Sequence, residues 1–321
     1  MKRREFLSFA VGAAIGLPLA ANAQSGRVRR IGLMANLPLR PIERFRDRMK
    51  QLGYVEGQNL VVEYRFAEGR DELYTGFAEE LVSMPVELIV AWGTPAAFAA
   101  KRATSKIPVV ITVGDVINTG LVSNLARPDA NITGFVALNV ELEEKRLELI
   151  KEIVPHLSKV AVLGNRANPL NKINSEAVRR VAERLSVSIE VVNIVRSDEV
   201  EAALGAIASV HPDAVIIASD TLLLSERARI TKFMADNGIP AVYPFREYAE
   251  AGGFIFYGAN IATLFERAAD YVHRILNGES PQNLPIQQAT SFEMIINLKA
   301  AAKLGLTLPP AVLARADEVV E

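Results

Sequence analysis

The chain contains no cysteine. That excludes a disulfide framework, a thiolate metal site, a cysteine nucleophile and a lipid-modified N-terminal cysteine. It also lacks an excess of either charge, with a formal net charge of −1 over 321 residues. A chain without a basic surplus has little with which to neutralise a phosphate backbone or hold an anionic lipid surface. Nucleic acid and membrane-surface partners are therefore not expected. The three histidines, His156, His211 and His273, lie beside a proline, before a proline and within a helical stretch. None has a second ligand at metal spacing. No G-x-S-x-G elbow, Walker A sequence or G-x-G-x-x-G occurs, so no catalytic constellation emerges and no cofactor is implied.

What the chain does have is one apolar stretch at its start, from Phe6 to about Ala21, led by Lys2-Arg3-Arg4 and followed by Ala21-Asn22-Ala23. A membrane-spanning helix needs about 20 apolar residues. This stretch is shorter, is interrupted by Gly12, Gly16 and Pro18, and ends in the small-x-small pattern of a signal-peptidase site. Residues 1–23 read as a cleavable signal peptide, and the arginine pair ahead of Phe6 and Leu7 resembles a twin-arginine signal. The mature protein is expected to begin near Gln24, to be soluble and to reside in the periplasm, delivered by the twin-arginine or general export machinery. Cleavage removes Lys2, Arg3, Arg4 and Glu5, which moves the formal charge from −1 to −3.

Short, almost unbroken apolar runs recur through the body: Ile31–Met34, Leu88–Ala91, Val109–Ile111, Val160–Leu163, Ala214–Ile217 and Phe254–Phe256. Runs without alternation are what strands buried on both faces look like. Between them lie segments with helical spacing, such as Ile42, Phe45, Met49 and Leu52, or Leu264, Ala268, Val272 and Ile275. The class is therefore α/β with parallel sheets. Residues 28–125 and 157–250 follow the same strand–helix plan, which predicts two similar Rossmann-like lobes. The elements left over suggest that the chain returns to the first lobe and crosses again, so that several strands form a hinge beside a cleft. The expected division is 28–134 with 247–283 in lobe 1, and 135–246 with 284–321 in lobe 2.

In open α/β sheets ligands bind beyond the carboxyl ends of strands. The residues there include Asn36 after the first strand and Trp92-Gly93-Thr94-Pro95 after the third. Thr94 fits an N-cap with Pro95 at the first helical position, where free N–H groups would also suit an anion. Trp92, the only tryptophan, would either stack on a ligand or seal the lobe. Asp115 would bind an ammonium or make an Asx turn. Asn165, Arg166, Ser219, Asp220 and Tyr243 occupy the corresponding places in the second lobe, with Arg166 suited to a carboxylate and Asp220 to an amine. Each of these would serve equally as a cap or a surface residue. Tyr257 is a further cleft candidate. Asn131-Ile132-Thr133 matches a glycosylation sequon but is expected to be a turn.

Longer stretches carry a family resemblance. Leu52-Gly53-Tyr54-Val55-Glu56-Gly57-Gln58-Asn59-Leu60, Gly93-Thr94-Pro95-Ala96-Ala97, Leu125-Ala126-Arg127-Pro128, Asn131-Ile132-Thr133-Gly134, Lys145-Arg146-Leu147-Glu148-Leu149 and Arg246-Glu247-Tyr248 with Ala251-Gly252-Gly253 are similar to the ABC-transporter substrate-binding proteins that include tryptophan- and tyrosine-binding members. The closing Ile296–Ala301, Leu304-Gly305-Leu306 and Arg315–Val319 fit as well. The resemblance spans essentially the whole mature chain. It implies a type I periplasmic-binding-protein fold and a monomer that captures a small solute, an amino acid or related carboxylate, and delivers it to an ABC permease. The chain departs from the family pattern at Asn36–Pro41, Gly114-Asp115-Val116, Gly164-Asn165-Arg166 and Ser219-Asp220-Thr221, all on the expected ligand shell. Rival readings are an exported enzyme on the same scaffold, such as an isomerase using paired carboxylates like Asp115 and Asp220, and a ligand sensor for a membrane receptor. A transcription regulator would need a DNA-binding headpiece, which an export signal contradicts.

Overall fold

The apolar runs become the inner strands of two sheets. The computed structural model describes residues 27–128, 131–137 and 139–321; the signal segment, residues 1–23, lies outside the described residues. From the N-terminus come β1 (Arg29–Ala35), α1 (Arg40–Gln51), β2 (Leu60–Phe66), α2 (Tyr74–Ser83), β3 (Leu88–Trp92), α3 (Thr94–Ala103), β4 (Val109–Val113) and β5 (Ile132–Val136). There follow α4 (Asn139–Ile153), β6 (Lys159–Asn165), α5 (Leu170–Leu185), β7 (Ser188–Ile194), α6 (Val200–Ser209), β8 (Ala214–Ile217), α7 (Thr221–Ser225), α8 (Arg227–Asp236), β9 (Ala241–Tyr243), α9 (Arg246–Glu250) and β10 (Ile255–Ala259). The chain ends with α10 (Ile261–Leu276), β11 (Gln287–Gln288), β12 (Phe292–Asn297), α11 (Leu298–Lys303), α12 (Pro310–Leu313) and β13 (Glu318–Val320).

Among the described residues, one sheet has the order β11-β5-β4-β3-β1-β2 and the other β13-β12-β10-β9-β8-β6-β7. Every pairing in the first sheet is parallel. In the second, β10 and β12 are antiparallel, a departure from the all-parallel expectation. Strands β3, β4, β5 and β8 are buried along their whole length, as apolar runs without alternation require. Helices α1 and α10 pack on each other over one face of the first sheet. Their buried Phe45, Met49, Leu264, Ala268, Val272 and Ile275 are the residues that helical spacing singled out. The Asn260 side chain caps α10 by accepting from the Thr263 N–H at 2.9 Å.

The chain passes between the lobes three times among the described residues: from β5 to α4, from β10 to α10 and from β11 to β12. These crossings form the hinge, but the lobe boundaries differ from the sequence expectation. Residues 247–259 do not join lobe 1, because β10 pairs with β9 and β12 in the second sheet. Conversely, β11 joins β5 in the first sheet, although it falls within 284–321. The first lobe also runs to the end of β5 rather than to residue 134. A buried apolar strand carries no mark of which sheet it will join; only its partners decide.

Gly134 in β5 has φ +140°, and a Cβ there would lie 2.1 Å from the Ile111 carbonyl oxygen of β4. The adjacent sequon asparagine is structural: the buried Asn131 donates from Nδ2 to the Thr104 and Ile107 carbonyls at 3.2 and 2.6 Å. Gly134→Ala is therefore expected to destabilise the protein by about 2 kcal/mol or more, through strain and a forced separation of two central strands. Chemical denaturation of the purified variant checks this.

Candidate functional site

Every wall of the cleft between the lobes is a segment that follows a strand's carboxyl end. Trp92, Gly93 and Thr94 come from the end of β3, Thr112–Gly114 from β4 and Ala137 from β5. Across from them stand Asn168 and Leu170 after β6, Ser219–Thr221 after β8 and Phe245 after β9, with Ile261 at the crossing that opens α10. The free space between them is small, about 30 Å³. Asp220 is the one charged residue in this lining, and no Lys, Arg or His stands in it. The Thr112 hydroxyl is buried without a hydrogen-bond partner in the protein.

The lobes touch closely here. Gly93, at φ +96°, precedes α3, and a Cβ on it would meet Thr221 of the other lobe at 3.0 Å. The turn begins one residue earlier than expected: Gly93 is the cap residue and Thr94 the first helical one, with no side-chain cap bond. A glycine that tolerates positive φ makes the sharp turn from strand to helix unaided, so the Thr94 side chain is not needed as a cap.

Asp220 is wholly buried and well supplied with donors. Its Oδ1 accepts from the Leu222 and Leu223 N–H groups at the start of α7, at 2.8 and 3.0 Å. Its Oδ2 accepts from Asn165 Nδ2 at 3.1 Å and Asn168 Nδ2 at 2.8 Å. Burial pushes its carboxyl up and these donors oppose the rise. Asn165 also donates to Asp71 Oδ2, in the turn after β2 on the opposite lobe, at 3.1 Å. Asp71 is pushed up to about 7, first by burial and then by the facing Asp220. Beside it, Asn36 accepts from the Gly69 N–H at 2.7 Å, and the Tyr74 hydroxyl is buried next to Asn36 and Thr221.

Behind the cleft wall, α4 carries a buried ion pair, with Arg146 Nη1 at 2.9 Å from Glu143 Oε1. Both residues hold Ser219: its N–H donates to Glu143 at 2.9 Å and its Oγ accepts from Arg146 at 3.2 Å. Arg146 Nε also donates to the Tyr257 carbonyl of β10 at 2.8 Å, so one guanidinium ties two hinge-flanking elements to the cleft.

The structure thus brings Trp92, Gly93, Thr94, Ser219 and Asp220 to the cleft, and places Asn36 and Asn165 in the buried joint beside it. Four expected site residues stand elsewhere. Asp115 makes an Asx turn, accepting from the Ile117 and Asn118 N–H groups at 3.0 and 2.9 Å. Arg166 is exposed. Tyr243 stays inside the second lobe, stacked on Tyr248 with ring centroids 4.8 Å apart. Tyr257 lies with Phe292 and Arg315 in a separate surface groove, because its strand belongs to the second sheet. Trp92 partly seals its own lobe, edge-on to Phe265 at 5.1 Å. Sequence reasoning missed Asp71 because β2 is a half-exposed edge strand without a continuous apolar run. The available signal was the loop Ala67-Glu68-Gly69-Arg70-Asp71 that follows it.

Arg146→Met would leave Glu143 as a buried charge without its cation. It is expected to destabilise the protein by about 3–5 kcal/mol. The double variant Glu143→Gln, Arg146→Met should recover part of that loss in the same denaturation experiment.

Comparison with known proteins places this arrangement. The solved structure of a conserved domain protein from Vibrio cholerae superposes with a TM-score of 0.85 at 29% identity, covering 91% of this chain and 99% of that one. The ABC domain from Streptococcus pneumonia, solved in complex with L-Trp, gives a TM-score of 0.82 at 22% identity over 91% and 100% of the two chains. The fold is that of type I periplasmic binding proteins. A tyrosine-binding protein of Clostridioides difficile is 26% identical over 253 residues, 78% of this chain and 72% of the relative. The model of the family described as ABC transporter substrate binding protein matches residues 40–320. That span takes in most of both lobes and all three crossings, so the chain belongs to the ABC transporter substrate binding protein family.

Proposed function

We infer that this protein is the periplasmic solute receptor of an ABC importer and that it captures an amino acid, or a closely related amine-bearing carboxylate, between its lobes. The observation that carries the reading is the cleft's charge: its lining holds one buried carboxylate, Asp220, and no cationic side chain. Such a wall favours an ammonium by its charge, the Asp220 oxygens themselves being engaged by four protein donors. The solute's own carboxylate would meet the N-terminal turn of α3 near Thr94, where helix N–H groups and the helix dipole favour an anion. Thr112 offers a hydroxyl without a protein partner, and Trp92, Leu170 and Phe245 give apolar walls for a side chain. The two relatives with named amino-acid ligands, L-Trp and tyrosine, support the same class. A solute that contacts both lobes only when the cleft is shut would shift the population toward the closed form, and the permease would read that outline.

Thermal unfolding of the refolded, solute-free mature chain tests this against amino acids, small carboxylates, purines and sugars. A true solute at about 100 times its dissociation constant should add about 2.7 kcal/mol, raising the melting temperature by roughly 5–10 °C at about 2–4 °C per kcal/mol. Asp220→Asn should weaken binding of that solute by roughly tenfold to a hundredfold. A preference for sugars or purines, or conversion of the hit to a product, would overturn the reading; the second result would favour an enzyme.

Export belongs to the same proposal. In the native host the mature protein should start at Gln24 by mass spectrometry, and lysines in place of Arg3 and Arg4 should leave the precursor inside the cell if the twin-arginine route is used. Among the described residues no helix is long and apolar enough to cross a membrane.

A further inference from the structure

The hydrogen bonds joining Asp71, Asn165 and Asp220 run from one lobe to the other, and chemistry fixes their direction. Asn165 Oδ1 already accepts from the Ala167 N–H at 3.0 Å, so Nδ2 is the end that faces the carboxylates. That nitrogen carries two hydrogens, and it lies 3.1 Å from Asp71 Oδ2 and 3.1 Å from Asp220 Oδ2. Asn36 is oriented in the same way: its Oδ1 takes the Gly69 N–H, and its Nδ2 lies 3.4 Å from Asp71 Oδ1. Asp220 therefore has four donors, whereas Asp71 has two carboxamides, one of them distant. Asp220 is buried and Asp71 half-buried; when two such carboxylates share a donor, the one with the poorer set of donors takes the proton.

The charged surroundings do not offer an alternative neutraliser. Asp220 faces Asp71 from the second lobe, Glu72 follows it on the same turn, and Tyr74 lies one turn on in α2. Arg196 of the second lobe is engaged with Asp198 at 3.0 Å and Glu199 at 3.8 Å. Arg166, next to Asn165, is exposed. Among the described residues neither Asp71 nor Asp220 is in an ion pair.

We propose that Asp71 is a positioning residue of the solute site: through the Asn165 carboxamide it braces Asp220 across the shut cleft, and it does so as the neutral acid, so that closing the lobes takes up a proton. This rests on the reading of the cleft as the solute site. With the lobes together, burial and the facing Asp220 push the Asp71 carboxyl up to about 7; with the lobes apart and water around it, it returns toward about 4. Below the lower value both states are protonated and closure does not depend on pH. Between the two values only the closed state holds the proton, so each rising pH unit weakens closure by up to about tenfold. Above the higher value both states are ionised and the dependence ends.

The test reads closure without a solute. The natural chain has no cysteine, so spin labels can be placed at Arg102→Cys in lobe 1 and Lys172→Cys in lobe 2, both exposed, without interfering thiols. Between about pH 5 and about pH 8.5, the closed fraction of the ligand-free mature protein should fall as pH rises. Asp71→Asn, which keeps a neutral polar group of the same shape, should remain closed at high pH and lose the response. A parent whose interlobe distance ignores pH, or an Asp71→Asn variant that keeps the parent's response, overturns the proposal. An NMR titration of the Asp71 carboxyl carbon in the natural sequence gives an independent reading if the variant does not fold; an apparent value near 4 in the closed protein also overturns it. Because no solute enters these measurements, a panel in which no amine binds would count against the receptor reading alone.

Discussion

Two carboxylates on opposite lobes hydrogen-bond the same carboxamide, and the geometry of the closed cleft depends on that shared donor. Burying like charges close together is costly unless hydrogen bonds or protons compensate. Here the compensation is unequal. Asp220 sits at the start of α7, where two backbone N–H groups and two asparagine side chains converge on it. Asp71 sits on a short turn with fewer donors. The same inequality sets the character of the cavity: its anionic wall is rigidly held on one lobe, while the other lobe supplies hydroxyls, an aromatic ring and the first turn of α3.

Rigidity on that wall comes from behind. The Glu143–Arg146 pair on α4 holds both the backbone and the hydroxyl of Ser219, next to Asp220. Because α4 follows one interlobe crossing and β10 precedes another, Arg146 links the cleft wall to two of the hinge connections. At the opposing surface, Gly93 and Gly69 allow the lobes to meet without side chains in the way. A Cβ at Gly69 would lie 2.2 Å from Ser197 Oγ of the other lobe. The closed form is thus built from close backbone approaches as much as from polar contacts.

Much of the architecture was legible in the sequence because burial on both faces leaves an unmistakable trace. The runs at 88–91, 109–111, 160–163 and 214–217 all became inner strands. What the sequence did not carry was sheet membership: Phe254–Phe256 and Pro285–Gln288 look alike whether they join one sheet or the other, and the lobe boundaries were misplaced there. For the cleft, reading the residues after each apolar run pointed to Gly93, Thr94, Ser219 and Asp220, which stand in its lining. It passed over Asp71, whose strand is an edge, and Asp115, Tyr243 and Tyr257 stand outside that lining. A residue's place at a strand end does not reveal which way its side chain turns. Asp115 satisfies its own turn, and Tyr243 points into its own lobe.

The strand β11 reaches the first sheet only after the chain has built nearly all of the second lobe. Helix α10, which covers the face of that sheet carrying Trp92 and Phe135, arrives just before it. On a ribosome, therefore, the N-terminal half emerges with one apolar face uncovered and cannot finish folding while its own residues are the only ones made. Its completion waits for the far end of the chain, so the two lobes mature together, and a nascent chain of this design needs its exposed face shielded until synthesis is almost over.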